Sequence, residues 1–185
     1  MAVAAFFVRP LRRFARSQEA SIAIETVIIL PALFVAFMVM YSAFDSYRQH
    51  AINQKAAYTI GDLISRQTTP MDLQFLQGAR SLFDYLTRSG SESALRVTSV
   101  QWNDTDKKYE LDWSKGVGAV SNATQDDVTR WAGSLPKLAP DEYITVVETR
   151  SEYDAPFRVG LQDHDMSNFV FTRPRYAPSV RWGTE

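Results

Sequence analysis

The chain has no cysteine, which excludes disulfides, thiolate chemistry, zinc ribbons and iron-sulfur clusters. The same absence leaves the redox compartment open, because a domain with a large enough core is stable without cross-links in an oxidising compartment. Histidine is nearly as scarce. His50 and His164 stand far apart, and neither opens a metal-ligand pattern. Asp163-His164-Asp165 reads as a solvated loop, since adjacent residues do not all face one point. An excess of charge of either sign is also missing: 20 basic against 21 acidic residues give a net charge of -1, so nothing in the balance points to nucleic acid or a polyanionic substrate. No Gly-x-Ser-x-Gly elbow accompanies the histidines, Gly116-Val117-Gly118 is too short for a phosphate-binding loop, and no internal repeat occurs. Asp126 and Asp127 read as carboxylates at a helix start. The expectation is a protein that is not an enzyme, with no metal and no cofactor.

What the chain does have is one long uncharged run. Thr26 to Phe44 carries no charge and is apolar on every side. With Ile22 to Ile24 before it, the run approaches the ~20 residues that cross a hydrocarbon core of roughly 30 Å. A buried helix of a soluble protein would show a polar stripe instead. A cleaved secretory signal would be shorter and would want a small residue where Tyr41 stands. Arg9, Arg12, Arg13 and Arg16 cluster ahead of the run, opposed there only by Glu19. The positive-inside rule puts these arginines in the cytoplasm and the chain beyond Asp45 on the other side. The organisation expected is a basic cytoplasmic leader over 1–20, a transmembrane helix over 21–44 and an extracytoplasmic α+β domain over 45–185.

Two residues of the run need explaining. Pro31 removes a backbone donor and predicts a kink, either tolerated or functional. Glu25 puts a carboxylate at the edge of the hydrocarbon, which costs free energy and marks a functional position, unless the side chain simply reaches the interface and favours the positive helix end.

The stretch Arg12-Arg-Phe-Ala-Arg-Ser-Gln-Glu-Ala-Ser-Ile-Ala-Ile-Glu-Thr-Val-Ile-Ile-Leu-Pro31 resembles the start of TadE-like proteins, the minor pilins or pseudopilins of the tight-adherence (Flp-type) pilus. Phe169-Val-Phe-Thr-Arg-Pro-Arg-Tyr-Ala-Pro178 is similar to the Arg-Pro-Arg endings of that family. The resemblance implies a leader removed by a prepilin peptidase between Ala20 and Ser21, which makes Glu25 the fifth mature residue. It also implies that Glu25 attracts the free amino terminus of a neighbouring subunit, neutralising two charges inside an apolar helix bundle. Ala20 stands where such sites usually carry Gly, and Thr26 where the major pilins carry an aromatic. A retained leader would leave the arginines as a permanent anchor, as in TadG-like relatives.

Beyond Asp45 the helix is expected to continue, because Ile52, Ala56, Ile60, Leu63 and Ile64 recur at helical spacing, with Gly61 weakening its end. A second helix is predicted with Thr69 as N-cap, Pro70 in its first position and Asp72 in a capping box. Its buried face is Phe75, Ala79, Leu82, Phe83 and Leu86, and Ser89-Gly90 stops it. Strands follow. Leu95 to Trp102 and Lys108 to Trp113 form a hairpin across Asn103–Lys107, with Tyr109, Leu111 and Trp113 on one face. A short helix from Gln125 to Trp131 enters at Thr124 with Asp127 as cap partner. Glu142 to Arg150 reads as a central strand, and Phe169 to Thr172 as a fourth. The four tryptophans read as core and hairpin packing, and Arg173, Arg175 and Arg181 as a charged edge.

The fold class is therefore α+β: a long N-terminal helix, a helical segment and an antiparallel sheet, a plan shared by pilin-like subunits. The function expected is pilus assembly by subunit packing. Its partners would be the inner membrane, other pilins and a prepilin peptidase. The alternative is a membrane-tethered periplasmic enzyme or ligand-binding module.

Overall fold

The structure, a computed structural model, describes residues 18–89, 93–157 and 163–183. Helix α1 (Gln18–Ser65) runs 48 residues and passes through Pro31. It is followed by α2 (Leu73–Thr87), β1 (Ala94–Asn103), β2 (Lys108–Val117), α3 (Gln125–Trp131), β3 (Tyr143–Tyr153) and β4 (His164–Thr172). The strands form one antiparallel sheet in the order β2-β1-β3-β4, so the protein is α+β. Two compact units divide the chain. One holds α1 as far as Asp45 together with residues 155–157; the other holds Ser46–Asp154 and the chain from Asp163.

In the second unit both faces of the sheet are covered. One face carries Leu95, Val97, Val117, Val147 and Val170, packed with Ala56, Ala57, Ile60 and Ile64 of α1 and Leu76, Ala79 and Phe83 of α2. On α1 the buried residues Asn53, Ala56, Ala57, Ile60 and Ile64 fall at helical spacing, and this periodic stripe is what docks the helix. The helix continues through Gly61 to Ser65, and a Cβ at Gly61 would make an ordinary contact with Val170 Cγ1, at 3.5 Å. The other face carries Val100, Tyr109, Ile144 and Val146, covered by Val128 of α3 and by Leu135. Because the central strand β3 packs on both sides, Ile144, Thr145, Val146 and Val147 are consecutively buried and show no alternation.

Four sequence expectations are corrected. Asp72, and not Thr69, caps α2, its carboxylate accepting the Phe75 N–H at 2.7 Å. The preceding backbone is engaged elsewhere: Met71 N–H donates to the Arg181 carbonyl and Met71 C=O accepts from Gly183 N–H, each at 2.8 Å, so the helix starts only after this bridge. Arg88 takes the left-handed position that ends α2, with φ 55°, while Gly90 lies outside the described residues. Strand β4 begins at His164, five residues before Phe169, so His164 and Asp165 belong to an edge strand and not a loop. Finally, Tyr109, Leu111 and Trp113 do not share a face. The register jumps between Ser99 opposite Trp113 and Val100 opposite Leu111, leaving Asp112 as an extra residue.

Candidate functional site

The apolar part of α1 is the most unusual surface of the molecule. Ile22, Ile24, Val27, Ile28, Ile29, Leu30, Leu33, Phe34, Val35, Phe37, Val39, Met40, Tyr41 and Phe44 are all exposed, on every side of the helix. At about 1.5 Å per residue, Ile22 to Phe44 extends roughly 34 Å. This helix is long and apolar enough to cross a membrane.

Glu25 stands exposed at the start of this surface, and the next charge along the helix is Asp45, about 30 Å away at the helical rise. The Thr26 hydroxyl, next to it, donates back to the Ile22 carbonyl at 2.9 Å, so Thr26 satisfies its own polar group within the helix. Pro31 lies six residues on and withdraws one backbone donor from the helix interior. Ala20 and Ser21 fall on the first turns of α1, whereas Arg9, Arg12, Arg13 and Arg16 lie outside the described residues.

Sequence reasoning missed one feature of this unit. Ser42 Oγ–H donates to the Phe157 carbonyl at 3.5 Å, and the Tyr41 and Phe157 rings meet edge-on with centroids 5.8 Å apart. The partners are 115 positions apart, and no local pattern announces such a contact.

Among the described residues, the sheet face that carries α3 has a shallow groove of about 310 Å³ beside Arg96, Glu148 and Phe169 and another of about 460 Å³ beside Phe171, Arg173 and Arg175. Their charges are matched within the protein. Arg96 forms a two-pronged pair with Glu148 at 2.6 and 2.8 Å, donates to the Ser121 carbonyl at 3.1 Å and lies over the Trp131 ring. The Glu148 hydrogen bond raises the Arg96 guanidinium above its ordinary value, against the opposing effect of burial. Arg173 pairs with Glu142 at 3.0 Å and Arg175 with Asp62 at 3.1 Å.

His50 is exposed on α1, and His164 packs beside Tyr153 on the sheet edge, far apart in the sequence. Among the described residues no group of three or more His, Asp or Glu side chains is placed to hold a metal ion. Gly116 and Gly118 serve chain packing. A Cβ on Gly118, at φ +86°, would meet the Ser93 carbonyl oxygen at 2.5 Å, and one on Gly116 the Val120 carbonyl at 2.9 Å. Asp127 completes the α3 capping box, accepting the Thr124 N–H at 2.8 Å.

Compared with family models, curated proteins and solved structures, the chain matches none.

Proposed function

We propose that this chain is a TadE-like minor pilin or pseudopilin, held in a bacterial inner membrane with its arginine leader in the cytoplasm, that acts in tight-adherence pilus assembly by packing and not by catalysis. The observation that carries the reading is the exposed apolar face of α1 with a lone acid at its entrance. Apolar surface left in water costs about 25 cal/mol per Å², so a run exposed all round needs lipid or other apolar helices about it. Exchanging lipid for neighbouring helices changes apolar burial little. Association of such helices therefore depends on side-chain packing and on polar groups that find partners. Glu25 is such a group, and the amino terminus of a neighbouring subunit processed at Ser21 supplies the opposite charge. The exported sheet unit, in which Arg96, Arg173 and Arg175 beside the grooves are paired with Glu148, Glu142 and Asp62, then offers shape to its partners.

The test is the mature N-terminus, read by mass spectrometry of protein from its native membrane, together with surface piliation in Glu25→Ala and Ala20→Phe strains. A mature chain starting at Ser21, blocked processing in Ala20→Phe and lost piliation in Glu25→Ala are expected. An intact leader with normal piliation in both variants would sink the proposal and leave α1 as a tether alone.

A further inference from the structure

We propose that Pro156 and Phe157, which follow β3, make a second contact with the bilayer and lie in the outer headgroup and acyl boundary beside Tyr41. The inference rests on the reading of Ile22 to Phe44 as a membrane span. Within that run Ser42 is 0% exposed, the one buried residue among those whose surroundings are described. Its hydroxyl meets the Phe157 carbonyl, and the Tyr41 ring meets the Phe157 ring. Residues 155–157 thus group with the apolar helix and not with the strands they join.

Depth identifies the occupant. Tyr41 precedes Asp45, the first charge after the run, by one helical turn, which is about 6 Å along the axis. With Asp45 in water, Phe157 lies at the level where interfacial segments bury their apolar side chains, roughly 5–10 Å into the boundary. Tyrosine is enriched at that level in spanning helices. Backbone polar groups entering it require a protein partner, and the Ser42 hydroxyl provides one for the Phe157 carbonyl. Pro156 is exposed and Phe157 remains 40% exposed, apolar surface that lipid covers better than water.

The cysteine-free chain makes each single-cysteine variant a unique labelling site. The full-length protein would be placed in nanodiscs of phosphatidylethanolamine and phosphatidylglycerol and labelled with an environment-sensitive fluorophore at Phe157→Cys, with Tyr85→Cys as an aqueous control, since Tyr85 is 80% exposed in the other unit. Quenching by shallow nitroxide-labelled lipid several-fold stronger at 157 than at 85, with weaker quenching by iodide, is expected. Equal iodide access at both positions with no lipid quenching at 157 overturns the proposal. A Val35→Cys label separates the two ideas. Lipid quenching at 35 but water-like behaviour at 157 sinks the interfacial contact and leaves the span standing; water-like behaviour at both sinks both. Should Phe157→Cys fail to fold by circular dichroism, Pro156→Cys is read by the same criteria.

Discussion

Leu111 and Trp113 are two residues apart on β2, yet they pack on opposite faces of the sheet. Leu111 lies opposite Val100 and joins Tyr109, Val128 and Ile144, whereas Trp113 lies opposite Ser99 and packs with the helices and Trp182. The extra residue, Asp112, makes this possible, because one inserted residue reverses every later side chain on its strand. One ten-residue strand thereby serves both layers of the core.

Deleting Asp112 is therefore expected to be mild, about 1 kcal/mol or less, since Leu111 and Trp113 would then alternate as neighbours and keep their partners. Deleting Glu110 is expected to cost about 2 kcal/mol or more, because either Tyr109 or Leu111 must then turn to the wrong face. Urea midpoints of the full-length protein in detergent micelles decide the matter. Equal losses in the two deletions would contradict the register.

Ser99 and Thr145 face each other across β1 and β3, and among the described residues neither buried hydroxyl has a hydrogen-bond partner. An unpaired buried hydroxyl carries its desolvation cost without return, so replacing it with an apolar group of the same shape removes that cost. Thr145→Val is expected to be neutral or stabilising, by up to about 1 kcal/mol, and Ser99→Ala close to neutral. A loss in Thr145→Val as large as a core truncation, about 2 kcal/mol, would mean that the hydroxyl has a partner after all.

What could be read from sequence was what is local. The uncharged run, the Ala56, Ile60, Ile64 stripe, the Thr124 and Asp127 box and the hairpin across Asn103–Lys107 each lie within a few residues of themselves, where periodicity and capping chemistry decide. The inner position of β3 was legible too, because its β-formers run on without alternation. Thr69 reads locally as the cap of α2 with Asp72 as its box partner, and only the distant contacts of Met71 with Arg181 and Gly183 move the helix start to Asp72. The Asp112 bulge is set by pairing with β1, and strict alternation hides it. In the candidate site Glu25 and Pro31 stand out on their own, being rare residues in an apolar helix. Ser42 and Phe157 do not, since their meaning arises only when two distant segments touch.

Acid should weaken α3 in a defined direction. Asp127 is held below the ordinary carboxylate value of 3.8, mainly because its carboxylate accepts the Thr124 backbone N–H, with the Thr124 hydroxyl and Arg130 adding to the effect. A carboxylate whose pKa is lower folded than unfolded contributes stability that is fully present above the ordinary value. That contribution is lost as pH falls through the lowered one. Asp127→Asn is thus expected to be less stable near neutral pH but to lose less between about pH 5 and about pH 2 than the parent protein. Urea midpoints across that range measure it, and parallel acid limbs in the two proteins would refute the assignment.

Asn53 is the one amide in the buried stripe of α1, and it is bound to the sheet. Its Oδ1 accepts the Ser151 hydroxyl at 2.6 Å, while its Nδ2 donates to the Gln49 carbonyl at 3.0 Å and approaches Met166 Sδ at 3.5 Å. Both Asn53 and Ser151 are essentially inaccessible to water, so removing either strands its partner. Asn53→Ala is expected to cost about 2–3 kcal/mol, combining an orphaned hydroxyl with a small cavity. Ser151→Ala should cost about 1–2 kcal/mol, because the amide oxygen then lacks its donor. In the double variant no hydroxyl is left to orphan, and the loss should fall short of the sum by about 1 kcal/mol. Strict additivity would show that the helix and sheet are joined by apolar packing alone, with the amide contributing nothing to their register.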